Sequence, residues 1–190
     1  MSWNIRGLNS PLKQSEVKIL IARYNIVLIG VLETRVRVEI MDWNLKHNYL
    51  LCNQGRIWVL YDTRKISLMV IVTGSQFIHF KLTRGNTVFF WTCVYGSYNA
   101  EVRRELLRDL ARLGSGLNAP WLIQGDFNAI CSNEDRVGGA PVNVGAANEF
   151  QSWILGLDLV EVQYSGPKFT WKFYFDMYPL KKMKKRIPYY

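Results

Sequence analysis

Histidine is scarce in this 190-residue chain: His47 and His79 are the only two. That excludes a metal centre built on imidazoles. Cysteine is little better represented. Cys52, Cys93 and Cys131 are odd in number and far apart, which argues against a disulfide framework and a thiolate zinc site. They read as small buried hydrophobes of a reducing compartment, with no disulfide partner. Long apolar runs are missing too. The longest stretch without Asp, Glu, Lys or Arg is residues 85–100, 16 residues broken by Gly, Asn and Ser. It is too short and too polar for a membrane-spanning helix. Residues 1–7 lack the apolar core of a secretory signal, so the expected location is nuclear or cytoplasmic, with no membrane. Acids are also in short supply, 15 against 24 Lys and Arg, for a net charge of +9. Residues 168–190 carry seven basic residues and one acid, which leaves 17 and 14, a net of +3, for residues 1–167. The excess belongs mostly to the C-terminal end and says little about a nucleic-acid-binding face on the body.

What is present is a folding composition, 49% hydrophobic and 14% aromatic, in a length that suits one domain. Short apolar runs alternate with amphipathic ones, which points to an α/β fold. A first strand is expected at residues 3–5. Ser10 and Pro11 offer an N-cap and a first helical position, with Val17, Leu20, Ile21 and Tyr24 as the apolar face. Residues 26–32 form a continuous apolar run ending in Glu33, the pattern of a strand buried on both faces. Residues 49–52, 57–61, 68–72, 77–82 and 88–95 are rich in β-branched and aromatic residues and read as strands, with a hairpin turn at residues 84–86. A helix is expected over residues 101–113, with Val102, Leu106, Leu110 and Leu113 on one side and i,i+3 charge pairs on the other. Residues 120–124 read as another buried strand and 133–143 as a loop. Phe150, Trp153, Ile154 and Leu157 have helical spacing, and late strands are expected at 159–162 and 168–175.

Several polar residues fall where strands should end: Asn4, Glu33, Tyr95, and Asp126 with Asn128. Ligands of α/β folds gather at the carboxyl ends of strands. Two carboxylates beside amides form an oxygen site for a hard divalent cation such as Mg²⁺. Such a site suits phosphodiester hydrolysis, in which the cation neutralises the phosphate while an Asp/Asn pair orients and deprotonates water. Each residue alone has an ordinary alternative. A lone Glu33 at a strand end is more often a surface carboxylate, Gly125-Asp126-Phe127-Asn128 could be a turn, and Tyr95 a core aromatic with a satisfied hydroxyl.

Taken together, Trp3-Asn4-Ile5-Arg6-Gly7-Leu8-Asn9, Leu32-Glu33-Thr34-Arg35, Val94-Tyr95-Gly96 and Gly125-Asp126-Phe127-Asn128 resemble the endonuclease/exonuclease/phosphatase superfamily. Gly55-Arg56-Ile57-Trp58, Asp135-Arg136-Val137-Gly138-Gly139 and Phe169-Thr170-Trp171 are similar to the apurinic-type endonuclease domain of plant LINE (non-LTR) retrotransposons. The resemblance implies a four-layered α/β sandwich, two β-sheets face to face with helices outside. It also implies Mg²⁺- or Mn²⁺-dependent nicking of DNA, leaving a 3′-OH that primes reverse transcription. By motif it makes Glu33 the metal ligand, with Asn4 fixing the metal and the Asp126 carboxylate. Asp126 and Asn128 would position the attacking water. Tyr95 would contact the phosphate or the metal-site network, Arg136 the DNA backbone, and Thr170 the DNA or the site floor.

The family's later elements, an Asp in a strand near Leu-Asp-Arg and a C-terminal Ser-Asp-His, do not follow Trp171. Asp176 is the only acid there, and His79, between Ile78 and Phe80, reads as structural. The expectation is an incomplete domain over residues 1–175, C-terminally truncated with the last strands of the second sheet missing, and a basic tail over 176–190. Its active site would be half complete, and weak or inactive. The reverse transcriptase domain expected in a full-length relative is not expected within these 190 residues. A non-catalytic nucleic-acid-binding fragment and an inert retrotransposon remnant are the other readings. The run Lys181, Lys182, Lys184, Lys185 and Arg186 is either a nuclear-targeting or DNA-tethering patch or a read-through end without a role.

Overall fold

The computed structural model describes residues 1–35, 44–48, 56–135 and 141–162. Alternation along the strands sorts their side chains to two faces, and that sorting builds the layers. The first sheet has the order β1-β2-β4-β3, from β1 (Ser2–Asn4), β2 (Leu28–Leu32), β3 (Asn44–His47) and β4 (Ile57–Tyr61). β1 runs parallel to β2, and β4 antiparallel to both β2 and β3. The second sheet has the order β5-β6-β7-β8, from β5 (Ser67–Thr73), β6 (Phe77–Arg84), β7 (Thr87–Tyr95) and β8 (Trp121–Asp126). Here β5, β6 and β7 form antiparallel neighbours, and β8 runs parallel to β7.

The sheets pack face to face. Leu32, Ile57, Val59 and Tyr61 of the first meet Ile78, Phe80, Leu82, Trp91, Cys93 and Tyr95 of the second in one buried cluster. A Cβ on Gly30 would collide with Cys93 Sγ, so the bare glycine backbone is what lets the sheets close at this point. The opposite face of the first sheet, Ile29, Val31, Trp58 and Leu60, packs with Val17 and Ile21 of α1 (Pro11–Arg23). The opposite face of the second, Phe77, Val94, Trp121 and Ile123, packs with Leu106 and Leu110 of α2 (Ala100–Ser115) and Trp153 of α3 (Val144–Gly156). The result is four layers, helix, sheet, sheet, helices. β2 is covered on both faces, as its unbroken apolar run requires.

The element ends hold some differences from the sequence reading. Ser10 sits at the N-cap of α1 with extended backbone and Pro11 follows, yet the Ser10 side chain makes no capping bond. Tyr24 lies past the end of α1 and is exposed. In α2 the buried residues are Arg103, Leu106, Leu107 and Leu110, while Val102 is exposed. Arg104 engages Glu149 of α3 at 2.7 Å, beyond its own helix. Residues 159–162 have no strand structure, and Val160 is 85% exposed. β3 was not expected at all. The expected strands at 49–52 and 168–175, and the tail at 176–190, lie outside the described residues.

His79 is buried on the helix-covered face of the second sheet. Its Nδ1 is 2.7 Å from Thr92 Oγ1, and its ring stacks on Phe90 at 5.5 Å. Trp121 Nε1 donates to the same Thr92 oxygen at 2.7 Å. Burial pushes the imidazole below its ordinary value of 6.5, so the unfolded chain takes up this proton more readily than the folded one. The stabilisation is complete above pH 6.5 and declines as pH falls below it. Urea-unfolding midpoints of the protein should therefore drop on acidification through this range, and more steeply than those of His79→Gln. Parallel profiles would contradict this placement of His79.

Candidate active site

Four chain segments converge at one end of the sandwich. β1 and β2 are parallel, so Asn4 and the residue after Leu32 emerge at the same end. The pairing continues past the strands: Ile5 N–H donates to Leu32 O at 3.0 Å, Gly7 N–H to Glu33 O at 2.6 Å and Leu8 N–H to Thr34 O at 2.7 Å. In the other sheet, parallel pairing sets Tyr95 beside Asp126. Gly125 allows this register. Its φ is +146°, and a Cβ there would collide with the Val94 carbonyl oxygen. Gly125 and Asp126 therefore end a strand, and the chain turns only afterwards, with Asn128 in the left-handed region at φ 49°.

A single amide joins the two sheets. Asn4 Nδ2 donates to Glu33 Oε1 at 2.9 Å and to Asp126 Oδ2 at 3.1 Å. The carboxylates are thus held within the combined length of two hydrogen bonds. Glu33 Oε1 also accepts from the Tyr95 hydroxyl at 2.8 Å and the Tyr98 hydroxyl at 3.2 Å. Its Oε2 pairs with Arg35 at 3.2 Å. Asp126 Oδ1 accepts the Asn128 backbone N–H at 2.9 Å, and Asn128 Nδ2 donates to Gly96 O at 2.6 Å. Arg56 lies over the Tyr95 ring, 5.5 Å from its centroid.

The electrostatics follow from these partners. Burial works to raise the Glu33 pKa, but the bonds from Asn4, Tyr95 and Tyr98 and the charge of Arg6 outweigh it, so the group lies below its ordinary 4.5. The Tyr95 phenol moves the other way, pushed up by burial and by its Tyr98 and Glu33 neighbours, and remains a neutral donor. Glu33 adopts φ 54°, a conformation that costs a non-glycine residue roughly 1–3 kcal/mol and persists only where its surroundings over-determine it.

One polar atom in this cluster lacks a partner. Asn4 Oδ1 is buried and accepts no hydrogen bond. A buried carbonyl oxygen left so is costly, and here it belongs to the side chain that bridges two carboxylates. Oxygen donors with two acids are the set that Mg²⁺ or Mn²⁺ prefers, so the residues fit a divalent cation. Asn4 Oδ1, Glu33 and Asp126 would hold it. Among the described residues no group of three or more His, Cys, Asp and Glu forms a metal cluster, so a cation here depends on the amide as well as on the acids.

A sequence profile of the Endonuclease/Exonuclease/phosphatase family matches residues 1–179. The chain belongs to that family. Enzymes of this family generally depend on a divalent metal, in keeping with the oxygen donors at Asn4, Glu33 and Asp126. The fold is similar to that of the endonuclease domain of TRAS1, a telomere-specific non-LTR retrotransposon, with TM-score 0.65 and 10% identity over 82% of this chain and 70% of that one. It is also similar to a functionally unknown conserved protein from Enterococcus faecalis V583, with TM-score 0.52 and 19% identity over 80% of this chain and 70% of that one. Humanized D. rerio TDP2 matches with TM-score 0.50 and 12% identity over 67% of this chain and 60% of that one. At such identities the likeness concerns the fold. No curated protein sequence matches.

Within this family fold, the structure brings together Asn4, Glu33, Tyr95, Asp126 and Asn128. Arg136 and Thr170 lie outside the described residues. The sequence assigns no role to Tyr98 or Arg35, although Arg35 lies within a quoted motif and Tyr98 two residues past another, and each bonds Glu33 directly. Tyr95→Phe removes one donor from the Glu33 carboxylate. In the metal-free protein the Glu33 pKa should rise, and the loss of stability tied to its protonation should begin at higher pH. Carboxyl NMR titration reads this directly; an unshifted Glu33 curve would contradict the geometry.

Proposed function

We propose that this chain is a metal-dependent phosphodiesterase acting on DNA, of the retrotransposon-endonuclease type, with a low rate. The observation that carries the reading is the Asn4 amide tying Glu33 to Asp126, with its own oxygen left buried and unpartnered. A bound divalent cation would neutralise phosphate charge and orient the scissile group.

The side chains then divide the work. Asp126, aligned by the Asn128 N–H and the Asn4 amide, takes a proton from the attacking water. Water adds to phosphorus, the bond from phosphorus to the 3′ oxygen breaks, and that oxygen takes a proton from solvent and leaves as a 3′-hydroxyl opposite a 5′-phosphate. Tyr95 and Tyr98 keep Glu33 charged for the cation. Arg136 and Thr170 are proposed DNA contacts, and a reverse transcriptase domain is the partner expected in a longer relative. A nuclear site of action and a tethering role for the tail would follow from that lineage.

The low rate follows from the acid/base inventory. Of the two imidazoles, His79 is buried between Phe90, Trp121 and Thr92 under the helices, and His47 is on β3. His79 bonds Thr92 and so offers Asp126 no acid/base partner. Removing one acid/base group typically costs ~10²–10⁴-fold in rate, so the same observation supports a second reading, binding of nucleic acid without cleavage. Nicking of supercoiled plasmid separates the two. The first reading expects Mg²⁺-dependent nicking that EDTA stops and that Asp126→Ala lowers by at least ~10²-fold. Nicking no faster than that of Asp126→Ala, with salt-sensitive DNA binding intact, would establish the second.

A further inference from the structure

The loop between β7 and α2 is held more firmly than a connection requires. Ser97 N–H donates to Gln76 Oε1 at 2.6 Å, and Gln76 Nε2 donates to Val102 O at 2.7 Å. Asn99 Oδ1 caps α2 by accepting from Glu101 N at 2.8 Å and Val102 N at 3.3 Å. Arg103 is buried, and its Nη1 reaches Ser97 O at 2.8 Å and Tyr98 O at 3.4 Å. Burying a guanidinium is unfavourable unless its donors are engaged, and here Nη1 is engaged in fixing this loop.

What the loop presents is Tyr98. The residue is 55% exposed, while its hydroxyl donates to Glu33 Oε1 at 3.2 Å. Its neighbour Tyr95 has the same hydroxyl contact but is buried. Glu33 therefore receives two tyrosines of different kinds, one sealed into the sandwich and one on the surface. A lone exposed aromatic needs no explanation. This one has its polar end fixed on the candidate metal-site carboxylate and its backbone carbonyl pinned by a buried charge, so its position is set in advance of any ligand.

We propose that the Tyr98 ring is a stacking platform for an unpaired nucleobase beside the scissile phosphate, making Tyr98 a substrate-binding residue that favours single-stranded or locally melted DNA. The proposal rests on the reading of the site as one for DNA phosphodiesters. Every base offers a π-face, so such a platform is indifferent to sequence. Bases in a duplex are paired and stacked, and presenting one to the ring requires extrusion, so the preference is for strand state. The fixed loop matters because a preorganised ring loses little freedom when a base settles on it.

The test is an anisotropy titration with a short fluorescein-labelled single strand and with the duplex of the same length, Ca²⁺ replacing Mg²⁺ to hold back cleavage. Tyr98→Leu should weaken single-strand binding by roughly 5- to 150-fold, the loss of one base–aromatic stack. Duplex affinity should change little. Tyr98→Phe, which keeps the ring and gives up only the Glu33 contact, should lose much less single-strand affinity than Tyr98→Leu, and Tyr98→Trp should raise it. Unchanged single-strand binding by Tyr98→Leu overturns the proposal. So does an equal loss for both strand states, or a loss in Tyr98→Phe as large as in Tyr98→Leu, which would assign the role to the hydroxyl on Glu33. Should Tyr98→Leu fail to fold, the comparison of Phe with Trp decides, and equal affinities overturn it. Plasmid nicking fails separately: its absence beside an intact single-strand preference removes hydrolysis and leaves the platform standing.

Discussion

Two carboxylates held close together repel, and in a partly buried site that repulsion is only weakly screened. The Asn4 amide is the contact that makes the arrangement tolerable. Its nitrogen faces both acids, from β1 of one sheet to β8 of the other. Remaining compensation comes from the tyrosine hydroxyls and the arginines around Glu33. The Asn4 oxygen is left without a hydrogen bond of its own. A divalent cation is the ligand class that answers both the paired carboxylates and the unpaired oxygen.

The sandwich is what brings these groups together. Glu33 and Asp126 are 93 positions apart in sequence, one just past β2 of the first sheet and the other at the end of β8 of the second. They meet because parallel pairing of β1 with β2 and of β7 with β8 delivers four strand ends to one edge, and because the sheets close over a shared apolar layer. The left-handed backbone at Glu33 and Asn128 turns the chain sharply where the functional side chains must point inward. Strain of this kind is stable only on a well-packed support; Trp58, Trp91 and Phe80, all essentially inaccessible, supply it.

Much of this was legible in the sequence. β4, β6 and β7 announce themselves by β-branched and aromatic density, and α2 by its apolar spacing, because burial on a defined face leaves a period behind. β3 left none. Asn-Leu-Lys-His has one apolar residue, is largely exposed, and exists through pairing with β4. Residues 159–162 misled in the opposite way, since Leu-Val-Glu-Val alternates like a strand but remains open to solvent. In α2, Val102 lost the inward place to Arg103, whose charge is buried because loop carbonyls receive it. Asn4, Glu33, Tyr95, Asp126 and Asn128 stood out as polar residues at strand ends. Tyr98 did not, because a loop tyrosine carries no periodic signal and its meaning depends on a partner 65 residues away.

The central claim is that Asn4, Glu33 and Asp126 together form a divalent-cation site. The most direct measurement is an anomalous difference map from a crystal of the protein soaked in Mn²⁺. A peak is expected within coordination distance of Asn4 Oδ1 and of at least one oxygen each of Glu33 and Asp126, and it should disappear in Asp126→Ala. A Mn²⁺ peak elsewhere on the molecule, with the Asn4 amide still bridging two vacant carboxylates, would contradict it.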